Sequence, residues 1–338
     1  MILGYSRWLR PLLLFLLSIF LGAIIATNQQ FFILIVIVIL GIITLFNLIL
    51  ETWVALAFIS PSNNKPDFEA EGWVSKFHYL DSTIHSKSFF DGNVRPLVIL
   101  IHGWRSGASS MKGRAAAYIK MGFHVILFEL PGHGKSESVS KWTAGHAATT
   151  FMQFYDNLTE EFDTSLVSEV YLHGRSMGGF VLLRFSKNLT SNPSSLPIAG
   201  YVLESPMTCY SMIFRESLDT LKIPKIAEKL FWSRLSAHFN EINPKISDVS
   251  ELSEVDTPKW GIIRNNCLVI QAEHDNRLGL GHYNQLVKSQ QEITGYIFKH
   301  HLVADLSHAG ARINLNRDDL IAKWISEVSA HSDSVTSA

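Results

Sequence analysis

Val170-Tyr171-Leu172-His173-Gly174-Arg175-Ser176-Met177-Gly178-Gly179 reads as a short apolar strand, a turn of the form Gly-x-Ser-x-Gly, and the opening of a helix. A serine hydroxyl is a weak nucleophile at neutral pH. To attack, it must stand exposed on a sharp turn where a base can reach it, and such a turn leaves no room for side chains beside it. Gly174 and Gly178 meet that demand. The helix beginning after Ser176 directs backbone N–H groups and the positive end of its dipole toward developing negative charge. Gly-x-Ser-x-Gly alone also occurs as a glycine-rich turn with an incidental serine, but the strand before it and the helix after it argue against that reading.

Outward from this turn the chain alternates. Apolar, β-rich runs occur at Leu97–Ile101, His124–Leu130, Val170–Leu172, Gly200–Leu203, Cys267–Ala272 and Gly295–Val303. Between them, 108–121, 144–162, 178–188, 281–289 and 317–330 carry apolar residues three and four apart, as helices do. The pattern predicts an α/β fold with a mostly parallel sheet and helices on both faces. Trp73 to Phe90 reads as two antiparallel edge strands. Between Met207 and Asn266 the rhythm breaks into an insertion with amphipathic pieces around 212–221 and 225–239, carrying Phe214, Phe231 and Trp232. Residues 208–265 serve either as a helical cap over the site or as packed connecting helices. No internal repeat or low-complexity tract is apparent after the amino-terminal region.

The first sixty residues hold the apolar excess that lifts mean hydropathy to +0.16. Leu12 to Ala26 is apolar apart from Ser18, and Phe31 to Leu50 is interrupted only by Thr44 and Asn47. Each approaches the length that crosses a bilayer, and the uncharged link Thr27-Asn28-Gln29-Gln30 joins them as a transmembrane hairpin within 1–60. A secretory leader competes for the first stretch, but Ile24 stands where a small residue would be wanted for cleavage after Ala26. A buried core helix competes for the second, yet a core helix would show a polar side. Arg7 and Arg10 precede the hairpin and Lys65 follows it, so the positive-inside rule places both ends, and the domain beyond, in the cytoplasm at the cell membrane. Residues 61–72 read as a linker, 73–330 as the catalytic domain, and 331–338 as a flexible tail.

Lys and Arg total 29 against 30 Asp and Glu, a formal charge of −1, which gives no electrostatic support for a nucleic-acid partner. The two cysteines, Cys209 and Cys267, supply neither a disulfide framework nor clustered zinc ligands. Gly134-Lys135-Ser136 invites a phosphate-loop reading, but such a loop needs glycine where Glu129 stands, so no nucleotide is expected. His300 and His301 are adjacent on a strand and point to opposite faces, so no metal is expected there. No cofactor is called for.

From about Trp73 to Ala330 the chain resembles the α/β-hydrolase superfamily, in particular its membrane-associated, monoglyceride-lipase-like serine hydrolases. The turn at Ser176 carries the resemblance first. The strand ending in His102-Gly103-Trp104 and the run Phe128-Glu129-Leu130-Pro131-Gly132-His133-Gly134-Lys135-Ser136 carry it further, although Glu129 stands where family members more often have Asp. The resemblance implies an eight-stranded sheet and the chain order serine, acid, histidine. Ser176 is then the nucleophile, and Asp275, after the strand 267–272, is the acid, with Glu273 and Glu204 as weaker alternatives. His308, among 14 histidines, is the base, because it lies after the last strand and before the last helix. The backbone N–H groups of Trp104 and Met177 would form the oxyanion hole, with His102 and Gly103 shaping its turn.

These residues imply an acyl-enzyme mechanism cleaving carboxylic esters, with the bilayer as a partner and a lipid-like or other apolar acyl ester as substrate. Acyl transfer, thioester hydrolysis and peptide cleavage are open to the same triad. A catalytically inactive, membrane-bound binding protein is the reading from another class, disfavoured by the complete triad.

Overall fold

From Leu97 to Ile101 every residue is apolar and none is more than 1% exposed, as expected of a strand covered on both sides in mid-sheet. The structure is a computed structural model, and it describes residues 7–27, 31–61, 67–189, 196–309 and 312–336. The strands are β1 (Trp73–Tyr79), β2 (Thr83–Phe89), β3 (Arg95–Ile101), β4 (His124–Phe128), β5 (Val167–Arg175), β6 (Ile198–Glu204), β7 (Cys267–Ala272) and β8 (Phe298–Val303). They form one eight-stranded sheet in the order β1-β2-β4-β3-β5-β6-β7-β8. β2 runs antiparallel to both β1 and β4, and every other pairing is parallel. The fold class and the antiparallel edge are as the sequence led us to expect.

The helices are α1 (Leu9–Thr27), α2 (Phe31–Ala57), α3 (Lys112–Lys120), α4 (Ala144–Asp156), α5 (Leu158–Glu161), α6 (Met177–Leu189), α7 (Tyr210–Thr220), α8 (Lys225–Ile242), α9 (Leu280–Gln290) and α10 (Leu315–Thr336). Alternate residues of the central strands feed two cores. On one face Val98, Leu100, Val125 and Leu127 pack with Ala115 and Tyr118 of α3 and Trp324 and Val328 of α10. On the other, Phe128 meets Phe151 and Phe154 of α4 at ring separations of 5.1 and 4.9 Å, and Phe151 meets Phe185 of α6 at 4.9 Å. Fully burying each such ring contributes about 1.5–3 kcal/mol.

Several boundaries differ from expectation for local reasons. The last strand begins at Phe298 rather than Gly295, whose φ of +87° suits a turn. The fourth ends at Phe128, before Pro131, which lacks a ladder donor. α10 continues to Thr336 where a tail from 331 was expected. Part of the expected linker, 62–66, lies outside the described residues.

The chain divides into two compact units. Pro61–Ser138, Ala144–Ser211 and Ser253–Ala338 make the unit with the sheet, and Met1–Ser60, Val139–Thr143 and Met212–Leu252 make the other. The insertion over 208–265, open to a cap or to connecting helices, is therefore split. Its last part stays with the sheet, where Trp260 stacks on Phe180 at 4.6 Å and donates its indole N–H to the Phe180 carbonyl at 2.9 Å.

In the other unit α1 and α2 pack side by side, and α8 packs on α2. Leu9–Thr27 and Ile33–Ala57 are long and apolar enough to cross a membrane, with mean hydropathies of 2.3 and 3.2. Leu12, Phe15, Phe20, Ile35, Ile39 and Ile42 leave large apolar surfaces exposed. α2 does not stop at Leu50. Its final turns carry buried Glu51, Val54 and Ala55, and Phe58 just beyond is buried as well. Arg234 of α8 donates to Glu51 Oε1 at 2.9 Å and to Asn47 Oδ1 at 3.3 Å. Arg10 of α1 donates to His238 Nε2 at 2.7 Å, and Phe214 of α7 stacks on Phe231 of α8 at 5.5 Å.

Candidate active site

Ser176 sits at the carboxyl end of β5 with φ of +52°, in the left-handed region that a side chain makes costly by about 1–2 kcal/mol. Backbone hydrogen bonds hold the turn. Ser176 N–H donates to the Glu204 carbonyl at 2.9 Å, and the Ser176 carbonyl accepts from Gly179 at 3.0 Å and Met207 at 3.1 Å. The glycines are required by approach rather than flexibility. A Cβ on Gly178 would lie 2.3 Å from the Ile101 carbonyl oxygen, and one on Gly174 would lie 2.6 Å from Gly178 backbone.

The imidazole of His308 lies between the other two sequence-predicted groups. Ser176 Oγ is 3.0 Å from His308 Nε2, and Asp275 Oδ2 is 2.8 Å from Nδ1. With the carboxylate as acceptor, Nδ1–H donates to Asp275 and Nε2 is left to accept the serine proton. Each of the three residues is buried, at 8–9% exposure. Asp275 is tightly held, receiving Gln271 Nε2–H and the backbone N–H groups of Arg277 and Leu278, each at 2.9 Å. Burial on its own would raise the Asp275 pKa. The bonds from His308, Leu278 and Arg277 outweigh it and hold the carboxyl well below the usual carboxylate range.

The weaker acids are placed elsewhere. Glu273 is exposed, whereas Glu204 is buried and receives two hydrogen bonds from the Arg114 guanidinium, one of them at 2.6 Å. His300 bonds the Tyr283 hydroxyl at 2.7 Å.

The turn after β3 lies against Ser176, since a Cβ on Gly103 would stand 3.1 Å from Ser176 Cβ. His102 and His133 brace it from within. Leu130 N–H donates to His102 Nε2 at 3.1 Å, so the proton is on Nδ1, which donates to the Gly103 carbonyl at 2.8 Å. Arg105 N–H donates to His133 Nε2 at 3.1 Å, and His133 Nδ1–H donates to the Pro131 carbonyl at 2.9 Å. Burial pushes the His102 pKa down, which suits this neutral tautomer. Trp104 follows Gly103 in this braced turn, and Met177 opens α6 on the other side of Ser176.

Sequence reasoning missed three parts of the scaffold. Glu129, first read as a mere departure from Asp, receives Ala108 N–H at 2.8 Å, Lys135 N–H at 2.7 Å and His85 Nδ1–H at 2.8 Å, tying three segments together. His133 was visible in Pro131-Gly132-His133-Gly134 but had no assigned task. Arg175, the variable residue of the serine turn, donates from Nη2 to the His308 carbonyl.

The eight-stranded, mostly parallel sheet with a serine on a strand-turn-helix elbow has the α/β-hydrolase fold. Residues 92–257 match the family model described as serine aminopeptidase, S33. The chain is 27% identical over 106 residues to a 2-hydroxy-6-oxononadienedioate/2-hydroxy-6-oxononatrienedioate hydrolase of Escherichia coli O81, covering 30% of this chain and 35% of that protein. It is also 27% identical over 124 residues to the corresponding hydrolase 1 of Pseudomonas putida, covering 36% of this chain and 41% of that one. The matched stretches thus span well under half the length of these relatives. Among solved structures, a Pyrococcus furiosus esterase aligns with TM-score 0.58 and 13% identity, covering 80% of this chain and 98% of its own. An epoxide hydrolase from Vigna radiata aligns with TM-score 0.50 and 14% identity over 77% of this chain and 100% of its own. These neighbours share the fold and differ in chemistry, so the reaction must be read from the site.

Proposed function

We propose that this protein is a membrane-anchored serine hydrolase that cleaves carboxylic esters through Ser176, His308 and Asp275. One observation carries the reading: the His308 imidazole bridges the Ser176 hydroxyl and the Asp275 carboxylate at 3.0 and 2.8 Å. Epoxide hydrolases of this fold attack with an aspartate, whereas serine stands at the elbow here.

Ser176 Oγ bonds to the substrate carbonyl carbon while its proton passes to His308 Nε2. The backbone N–H groups of Trp104 and Met177 receive the oxyanion. Collapse breaks the carbonyl–alkoxy bond, and the leaving alcohol takes the proton from His308. Water then gives a proton to His308 and attacks the acyl carbon, releasing the acid and restoring Ser176. Asp275 stays ionised, holding the imidazole in one tautomer and stabilising it when charged.

The two apolar helices support an anchor that spans the bilayer twice. Arg7 and Arg10 on the same side as Lys65 support placing the sheet unit in the cytoplasm. An anchor on the same chain as the site favours lipid-like or other apolar acyl esters. Purified full-length protein in liposomes is expected to release acid from a monoacyl lipid ester, and Ser176→Ala to release none. Turnover by Ser176→Ala equal to the wild type would overturn the assignment.

The match of residues 92–257 to the serine aminopeptidase model favours a second reading, peptide cleavage by the same triad. A fluorogenic amino-acid amide cleaved faster than any acyl ester would favour it.

A further inference from the structure

The residue between Gly174 and Ser176 has no side-chain requirement set by the turn, which needs only its flanking glycines. Here it is an arginine with only 9% of its surface exposed. Taking a guanidinium out of water is costly unless its charge and its donors are met. The surroundings raise that cost. Burial comes first, and the guanidiniums of Arg114 and Arg317 add to it, so that the Arg175 pKa is held below the usual arginine value despite Glu204 and Asp275 nearby. Glu204 is already engaged by Arg114, and Asp318 by Arg317. A leucine or methionine would fill the same space without this penalty, so the guanidinium needs a return that packing does not give.

Its bond to the His308 carbonyl is that return. A Cβ on Gly103 would also lie 3.4 Å from Arg175 Nη1, so the same group lies beside the turn after β3. One side chain, rooted next to the nucleophile, thus reaches the main chain of a residue 133 positions away and the turn that flanks Ser176.

We propose that Arg175 is a positioning residue that grips the His308 carbonyl and holds the imidazole in place when its bond to Ser176 is absent. The inference rests on the triad reading above. In the free protein the imidazole is tethered by Ser176 and by Asp275. Once Ser176 is acylated its hydroxyl proton is gone, and Nε2 must activate water while only Asp275 still holds the ring. The grip of Arg175 on the main chain does not change through these steps, so its loss is felt most in deacylation. A misplacement of about 1 Å can cost about 10²-fold in rate.

The test is steady-state and pre-steady-state hydrolysis of a chromogenic acyl ester by full-length wild type, Arg175→Met, Arg175→Lys and Ser176→Ala, with the melting temperature of each. For Arg175→Met, kcat is expected to fall roughly 10–100-fold with KM falling alongside it, and a burst of alcohol product marks acyl-enzyme accumulation. Arg175→Lys keeps one donor and should recover part of kcat. Two results would overturn the inference: kcat for Arg175→Met within about threefold of wild type, or a loss without burst or recovery by lysine that follows the melting temperature. No turnover and no acylation in the wild type would instead remove the triad reading itself, which separates the two failures.

Discussion

At the scale of single residues, the site depends on charge and on close approach, and each has its own signature. In the proposed triad Asp275 orients the imidazole, so Asp275→Asn, which keeps the shape and loses the charge, is expected to lower kcat by about 10³–10⁴-fold on a soluble ester. Gly178 faces the Ile101 carbonyl at a distance no Cβ tolerates. Gly178→Ala should therefore cost at least the ~3 kcal/mol at the upper end of overpacking, measured by denaturation of the detergent-solubilised protein. Glu129 is buried, which would raise its pKa, but its bonds to His85, Ala108 and Lys135 lower it below the ordinary 4.5. A carboxyl depressed in the folded state stabilises above its unfolded pKa, and that contribution is lost as pH falls through the depressed value. Stability should thus fall with acid below about pH 4.5, and Glu129→Gln, weaker at neutral pH, should show a shallower acid limb. An unchanged limb would contradict this role. Ser176, Asp275 and His308 were legible because each ends a strand or follows one in a fixed chain order. Glu129 and His133 were not, since their tasks are defined by partners such as His85, 44 positions from Glu129.

At the scale of elements, the strands of the sheet could be read from apolar runs because burial on both faces leaves no polar alternation to confuse them. The insertion was harder. Its helices α7 and α8 were anticipated from periodicity, but their partner was not. The bond from Arg234 to Glu51 joins residues 183 apart, and nothing in local spacing reports it. α8 therefore belongs with the hairpin rather than standing alone as a cap. A protein starting at Asp67 is expected to lose the surface on which α8 packs. Limited proteolysis should then cut first within 212–252 while the sheet remains resistant; equal resistance of that segment with and without residues 1–60 would refute the dependence.

At the scale of the whole molecule, two helices are long and apolar enough to cross a membrane and leave large apolar side chains exposed. The protein is expected to stay with membranes through alkaline carbonate and to be released by detergent; release by carbonate alone would exclude an integral anchor. Fold class and site were open to sequence reading because one short motif sits in a recurring framework. The grouping of hairpin with insertion was not, because it arises from contacts between distant segments. The most direct measurement of the site is to treat the full-length protein with a fluorophosphonate and locate the adduct by peptide mass spectrometry. The adduct is expected on Ser176, absent in Ser176→Ala and slowed at least a hundredfold in His308→Ala. An adduct on any other residue, or equal labelling in all three proteins, would contradict the triad.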